Sequence, residues 1–175
     1  MRLMIPALLL LTLLLPSAVA AQPAVSRARF VYALWVGAGA LPYRGDAPFT
    51  DVPLELEEAP AICWAYDLGV VRGTGGDLFT PQRPITREEA AVLLRRYAAC
   101  LGRDTFYPEG VAACNEYEGI SPWADDSLYW AAGTGLMDWS PTGELDPAGT
   151  LTDQQLRTVL SRFFDRPLIQ TEPPA

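Results

Sequence analysis

Histidine and lysine are absent from this chain, and all 13 of its basic residues are arginines. Without histidine, a Ser–His or Cys–His nucleophile pair and a His-bearing metal site are excluded. Without lysine, a Walker A phosphate loop and a Schiff-base enzyme are excluded as well. Hydrolysis by paired carboxylates is the enzyme chemistry that 21 acidic residues leave open, but no Asp/Glu pair stands out. We therefore expect no enzyme, no cofactor and no metal.

The chain also lacks a run of basic residues, and its net charge is -8. Because nucleic-acid binding depends on clustered basic side chains, we expect no nucleic-acid partner. Half of the residues are hydrophobic, at 50%, which is enough for a packed core. A length of 175 residues fits one domain or a few small repeats.

The N-terminus has the layout of a secretory signal peptide. Met1-Arg2 is a short positive start, residues 3–15 are almost wholly apolar, and Ala18-Val19-Ala20 fits a cleavage signal. The apolar run is shorter than the roughly 20 residues that span a bilayer. We therefore expect a signal peptide at 1–21, export of the chain, and no integral membrane span after cleavage.

Cysteine is scarce, with three residues in the chain. Export permits disulfides, and an odd number leaves one thiol over. Cys100 and Cys114 flank a Gly- and Pro-containing connection and are the candidate disulfide pair. Cys63 lies in an apolar helical segment, where a buried free thiol is expected.

An internal repeat runs through the rest of the chain. At an offset of 66, residues 62–70 align with 128–136, and the register continues without a gap to 96 and 162. A partial copy at an offset of 60 contains only the second half of the unit. The predicted organisation is a partial repeat at 25–47, a full repeat at 48–102, a connection at 103–114, a diverged repeat at 115–166 and a flexible tail at 167–175.

Each unit has the pattern of a helix, a Gly/Pro loop and a capped helix. Pro60 lies near the start of an apolar helix that Gly69 ends. Thr86 and Glu89 form a capping box before the second helix, and Thr152 and Gln155 repeat it. The pattern predicts a mainly α fold.

The order of short motifs in the full repeat resembles the S-layer homology (SLH) repeat. The motifs are Phe-Thr-Asp-Val at 49–52, Trp-Ala at 64–65, Leu-Gly-Val at 68–70, Gly-Thr-Gly at 73–75, Phe-Thr-Pro at 79–81 and Ile-Thr-Arg-Glu-Glu at 85–89. The resemblance covers essentially the whole mature chain. It implies tandem SLH repeats arranged as a pseudo-threefold helical bundle, located at the cell wall or cell surface.

The resemblance also implies non-covalent binding of secondary cell-wall polysaccharide, often with pyruvylated sugars, in grooves between repeats. The motif arginine is the residue most associated with binding, and guanidinium near a helix start suits an anion. Trp64 either stacks on a sugar or packs in the core, and Trp123 is expected to pack. The expected ligand-binding residues are Arg87, Arg27, Thr86, Asp51, Gly73, Gly75 and Trp64.

The diverged repeat departs from the family pattern. Asp153 stands where the motif arginine belongs, Trp139 replaces Gly73, and Glu116 or a neighbour replaces Asp51. The first copy lacks its leading helix. An alternative function is therefore a degenerate SLH scaffold that assembles with other envelope proteins and binds no glycan.

Overall fold

The computed structural model describes residues 22–43, 45, 48–106, 119–124, 126–138 and 144–165. Within these ranges the chain forms five helices and no strand. The predicted mainly α fold is confirmed. The helices are α1 (Arg27–Gly37), α2 (Ala59–Asp67), α3 (Arg87–Cys100), α4 (Ser127–Gly133) and α5 (Asp153–Asp165).

The helices follow the repeat. α1 is the capped helix of the partial copy, α2 and α3 form the full repeat, and α4 and α5 form the diverged one. α1 packs on α2, and α3 packs on α4. The capped helix of one copy therefore packs on the first helix of the next copy. α1 also contacts α5, which brings the first and last copies together.

The capping boxes predicted for the two complete units are confirmed. The Thr86 hydroxyl accepts from the backbone N–H of Glu89 at 3.3 Å, and the Glu89 carboxylate accepts from the Thr86 N–H at 3.1 Å. Before α5, the Thr152 hydroxyl likewise accepts from the Gln155 N–H at 3.3 Å, and the Gln155 side-chain oxygen accepts from the Thr152 N–H at 2.8 Å. These bonds satisfy N–H groups that a helix start leaves without a partner.

The short segments before the three capped helices bind one another. Val25 N–H donates to the carbonyl of Leu151 at 2.8 Å, and Ile85 N–H donates to the carbonyl of Val25 at 2.9 Å. The three copies therefore share one junction, which gathers the starts of α1, α3 and α5. The pseudo-threefold arrangement of the whole bundle stays a prediction. Single antiparallel bridges join Ala24 to Thr152, Ser26 to Pro84 and Thr86 to Thr150.

A hydrophobic core of described residues connects the copies. Tyr97 on α3 belongs to it, with its ring 5.3 Å from that of Trp64 and 5.8 Å from that of Phe163. Burial of such aromatic side chains contributes much of the stability of a domain of this size. These contacts hold the helices, and so the loops between them, in fixed positions.

The predicted disulfide, signal peptide and tail fall partly or wholly outside the described residues. Cys63 is buried as expected, and Cys100 donates its thiol to the carbonyl of Leu68 at 3.4 Å. Cys114 lies outside the described residues, so its pairing with Cys100 stays a prediction. The signal peptide and the tail lie outside them as well. Among the helices that are described, none combines the length and apolar character needed to cross a membrane.

Candidate functional site

Arg27 begins α1, and its side chain is buried in the following repeat. Its Nε donates to the carbonyl of Phe79 at 3.1 Å, and its guanidinium lies 4.8 Å from the centre of the Phe79 ring. Its Nη1 forms an ion pair with Glu89 at 3.0 Å. Arg27 is only 4% exposed. Burial lowers the pKa of its guanidinium, and the carboxylate of Glu89 opposes that effect.

Arg87 repeats this arrangement one copy later, at the start of α3. Its Nε donates to the carbonyl of Leu145 at 2.8 Å, and Nη2 donates to the carbonyl of Asp138 at 2.6 Å. Arg87 is 6% exposed, and burial lowers its pKa. Phe79 and Leu145 are equivalent at the offset of 66. Each motif arginine therefore fastens the loop of the next repeat to its own helix.

Asp153 occupies the corresponding position at the start of α5 and behaves differently. Its carboxylate pairs with Arg157 on the same helix at 2.9 Å, and both side chains are exposed. An aspartate in the first turn is favourable to the helix dipole. The third copy therefore uses this position to support its own helix.

Asp51 holds the loop that Arg27 contacts. Its two carboxylate oxygens accept from the backbone N–H groups of Phe79 and Thr80 at 2.8 and 2.7 Å. Thr80 has a φ of 56°, an unusual backbone conformation for a β-branched residue. The paired hydrogen bonds from Asp51 stabilise this strained turn.

The loop glycines are required by close packing and by backbone conformation. A Cβ atom on Gly73 would lie 2.9 Å from the carbonyl of Leu78, so a larger residue would displace the turn. Gly75 has a φ of 121°, which L side chains rarely adopt. Together they allow the chain to fold back tightly beside α3.

A groove of about 400 Å³ lies between the start of α1, this loop and one face of α3, and we call it the first groove. It contains four guanidinium groups and one carboxylate, so its walls carry three net positive charges. This is the reverse of the chain as a whole, whose net charge is -8. Its lining residues are Arg27, Arg72, Gly73, Thr74, Arg83, Glu89, Val92, Leu93, Arg96 and Trp123.

The positive charges of the first groove are unevenly balanced. Glu89 forms ion pairs with both Arg27 and Arg83. Arg72 is exposed, and no hydrogen bond or ion pair reaches its guanidinium from the described part of the chain. Arg96 donates to the carbonyl of Val70 at 3.3 Å. Burial, together with the neighbouring positive charge of Arg72, lowers the pKa of Arg96.

A second groove, of about 260 Å³, occupies the equivalent place one repeat later. Asp138 stands where the first groove has Arg72, and Gly149 stands where it has Arg83. Arg162, the equivalent of Arg96, pairs with Asp138 at 2.8 Å. Two opposite charges thus replace two like charges. The lining residues are Arg87, Met137, Asp138, Asp146, Thr150, Leu151, Gln154, Gln155, Thr158 and Val159.

The residues predicted from the sequence are dispersed in the structure. Arg27 and Gly73 line the first groove, and Arg87 lines the second. Asp51 and Gly75 shape the loop, and Thr86 caps α3. Trp64 is 8% exposed and packs on Tyr97, away from both grooves.

Sequence reasoning did not identify Arg72, Arg83, Arg96 or Trp123 as site residues. Trp123 was expected to pack, yet it is 54% exposed and lines the first groove. The sequence did contain a signal for this site. The full repeat has arginine at 72, 83 and 96, whereas the diverged repeat has arginine at only one of the three equivalent positions. Within the described ranges, no group of three or more acidic or cysteine side chains is placed to hold a metal ion.

The family model for the S-layer homology domain matches residues 48–91, which contain α2, the loop and the start of α3. The chain contains an S-layer homology domain. Half of the residues that line the first groove lie within this SLH match.

Relatives of this SLH protein are large proteins. An endoglucanase of Bacillus sp. (strain KSM-635) is 31% identical over 141 residues, which is 80% of this chain and 15% of the relative. The surface-layer 125 kDa protein of Lysinibacillus sphaericus is 29% identical over 127 residues, 69% of this chain and 10% of the relative. Cell surface glycoprotein 1 of Acetivibrio thermocellus is 30% identical over 124 residues, 67% of this chain and 5% of the relative.

The SLH domain and the relatives named as surface proteins indicate a secreted protein associated with the cell envelope. The chain spans 15% or less of the length of these relatives. The endoglucanase name belongs to that much longer protein, and no catalytic function is carried from it to this chain.

Proposed function

We propose that this SLH protein is a non-enzymatic cell-envelope protein that binds an anionic cell-wall polysaccharide in the first groove. Pyruvylated sugars are one source of the negative charge. The observation that carries the proposal is the excess of three positive charges in a groove of about 400 Å³, within a chain of net charge -8. A local positive site in an acidic protein favours an anionic ligand over general adhesion to negatively charged surfaces.

The chemistry of the groove suits a carboxylate on a sugar. Guanidinium binds carboxylate through two parallel hydrogen bonds, a geometry that an ammonium group cannot match. Because part of the groove wall is exposed, the interaction is expected to weaken as ionic strength rises.

Co-sedimentation with purified cell-wall sacculi of the source organism tests the proposal. The mature chain, from residue 22 onward, is expected to sediment with sacculi that retain their polysaccharide. It is expected to remain in solution when the polysaccharide has been chemically removed. Equal sedimentation with both preparations, or with neither, would contradict polysaccharide binding.

A protein-assembly role is the second candidate. It is favoured by the second groove, where Asp138 pairs with Arg162 and leaves no excess positive charge. In that case an envelope protein would be captured by this chain whether or not the wall polysaccharide is present.

A further inference from the structure

Two arginines of the first groove, Arg72 and Arg96, have no carboxylate partner in the described chain, and neither is the motif arginine Arg27. Arg27 already donates to the Phe79 carbonyl, pairs with Glu89 and covers the Phe79 ring. An incoming anion would have to displace these buried contacts, at a cost in desolvation and hydrogen bonding. Arg27 therefore holds the loop in place.

Glu89 pairs with two of the four arginines in the first groove and leaves the other two without a carboxylate partner. Its carboxylate balances Arg27 and Arg83 together, so this part of the groove has one excess positive charge. Arg72 and Arg96 lie in the same groove, and neither is paired with a carboxylate in the described chain. Two guanidinium groups that repel each other are stabilised by an anion placed between them.

The second groove is an internal comparison for this pair. At the two equivalent positions it has Asp138 and Arg162, joined by an ion pair of 2.8 Å. In the second groove, Asp138 therefore provides a carboxylate for Arg162. In the first groove, Arg72 stands at the equivalent position, and its positive charge acts on Arg96 in place of a carboxylate.

Trp123 adds a second, independent feature. It comes from the diverged repeat, reaches the first groove and remains 54% exposed. Exposure of more than half of an indole leaves apolar area uncovered, and an aromatic face suits the C–H groups of a sugar ring. A free inorganic anion has no C–H groups that could pack on this surface.

We propose that Arg72 and Arg96 contact the carboxylate of an acidic sugar whose ring lies on Trp123, while Arg27 and Glu89 position the loop. This inference rests on the proposed function and assigns the charge recognition within the same groove. It predicts one anion site per chain.

The test is a titration of the mature chain with an oligogalacturonate of four sugars, followed by NMR or calorimetry. Matched probes are the carboxyl-reduced oligosaccharide and inorganic phosphate. Arg72→Gln and Arg96→Gln are each expected to weaken oligogalacturonate binding about tenfold or more, as loss of a charged hydrogen bond would. Trp123→Ala is expected to weaken it while leaving the weak binding of phosphate unchanged.

Arg157→Gln is the matched control, because it removes one exposed arginine from α5, outside both grooves. It should bind as the unmodified chain does. Thermal unfolding of each variant separates a loss of binding from a loss of folding, and Arg72→Gln serves where Arg96→Gln is unstable because Arg72 is exposed.

Several outcomes would overturn the assignment. These are no binding of oligogalacturonate, equal binding of the carboxyl-reduced probe, phosphate binding as tight as that of the sugar, or unchanged binding in both arginine variants. The proposed function is tested separately by the sacculi. If the unmodified chain sediments with polysaccharide-bearing sacculi and both arginine variants sediment equally, this inference fails while polysaccharide binding stands. If the unmodified chain does not sediment, the proposed function itself fails.

Discussion

The first and second grooves have the same framework and different linings. In each, an arginine at a helix start donates to a loop carbonyl of the next repeat, from Arg27 to Phe79 and from Arg87 to Leu145. Around this shared contact the first groove has a net positive charge, whereas the second contains Asp138 and Asp146. The motif arginine thus accompanies both a cationic and an acidic groove, so it does not by itself define the charge of either.

This difference separates residues that build the groove from residues that face it. The framework contacts are buried and belong to the repeat. The lining residues vary between copies: Arg72 in the first groove corresponds to Asp138 in the second, and the bond from the motif arginine to a loop carbonyl is present in both. Repeat proteins can therefore keep one fold while individual sites gain or lose a ligand.

The largest expected effect comes from removing a framework arginine. Arg27→Ala and Arg87→Ala should each lower the free energy of unfolding by about 3 kcal/mol, because buried hydrogen-bond partners are left without a donor. Equilibrium unfolding in urea measures the change. Arg157→Ala should cost less than about 0.5 kcal/mol, since its ion pair is exposed. Equal small losses in all three would contradict a framework role.

Charge reversal in the first groove should have the next largest effect. Arg72→Asp places a carboxylate near Arg96, as Asp138 lies near Arg162 in the second groove. We expect sedimentation with polysaccharide-bearing sacculi to be lost. The free energy of unfolding should stay within about 0.5 kcal/mol of that of the unmodified chain. Retained sedimentation at low salt would show that Arg72 does not take part.

The converse substitution, in the second groove, should produce a smaller effect, a gain of weak ligand binding. Asp138→Arg removes the ion pair with Arg162 and recreates two like charges in the second groove. Calorimetry should then detect a second, weaker site for oligogalacturonate, weaker because no aromatic side chain like Trp123 lines the described part of the second groove. An unchanged stoichiometry of one would indicate that charge alone does not distinguish the grooves.

The smallest expected effect concerns the helix starts that support the grooves. Thr86→Ala breaks a complete capping box and should cost about 1 kcal/mol. Ser26→Ala removes a single cap bond, from the N–H of Arg29, and should cost less. Urea unfolding of the two variants compares them. An equal loss would mean that the reciprocal bond, in which the Glu89 carboxylate accepts from the backbone N–H of residue 86, does not strengthen the cap.

Much of the fold was predictable because the helices and caps of each repeat depend on residues that are close in sequence. The capping boxes at Thr86 and Thr152 and the apolar helices depend on neighbours within a few residues, and the structure confirms them. The burial of Arg27 was not predictable. It depends on a carbonyl 52 residues away, and no local spacing reveals which loop a side chain will meet.

The first groove itself illustrates the same limit. Arg72, Arg83 and Arg96 come together only because the loop folds back beside α3. Trp123 belongs to the following repeat, and the sequence alone predicts that it packs. Side chains that face a groove from different repeats become visible only once the copies are assembled.

The most direct test of ligand binding in the first groove is an NMR titration of the mature chain with oligogalacturonate, observed through backbone amide shifts. We predict that the shifts concentrate at Arg72, Gly73, Arg96 and Trp123, with little change around Asp138 and Gln155. Shifts centred on the second groove, or on the apolar region around Trp64, would contradict the assignment of ligand binding to the first groove.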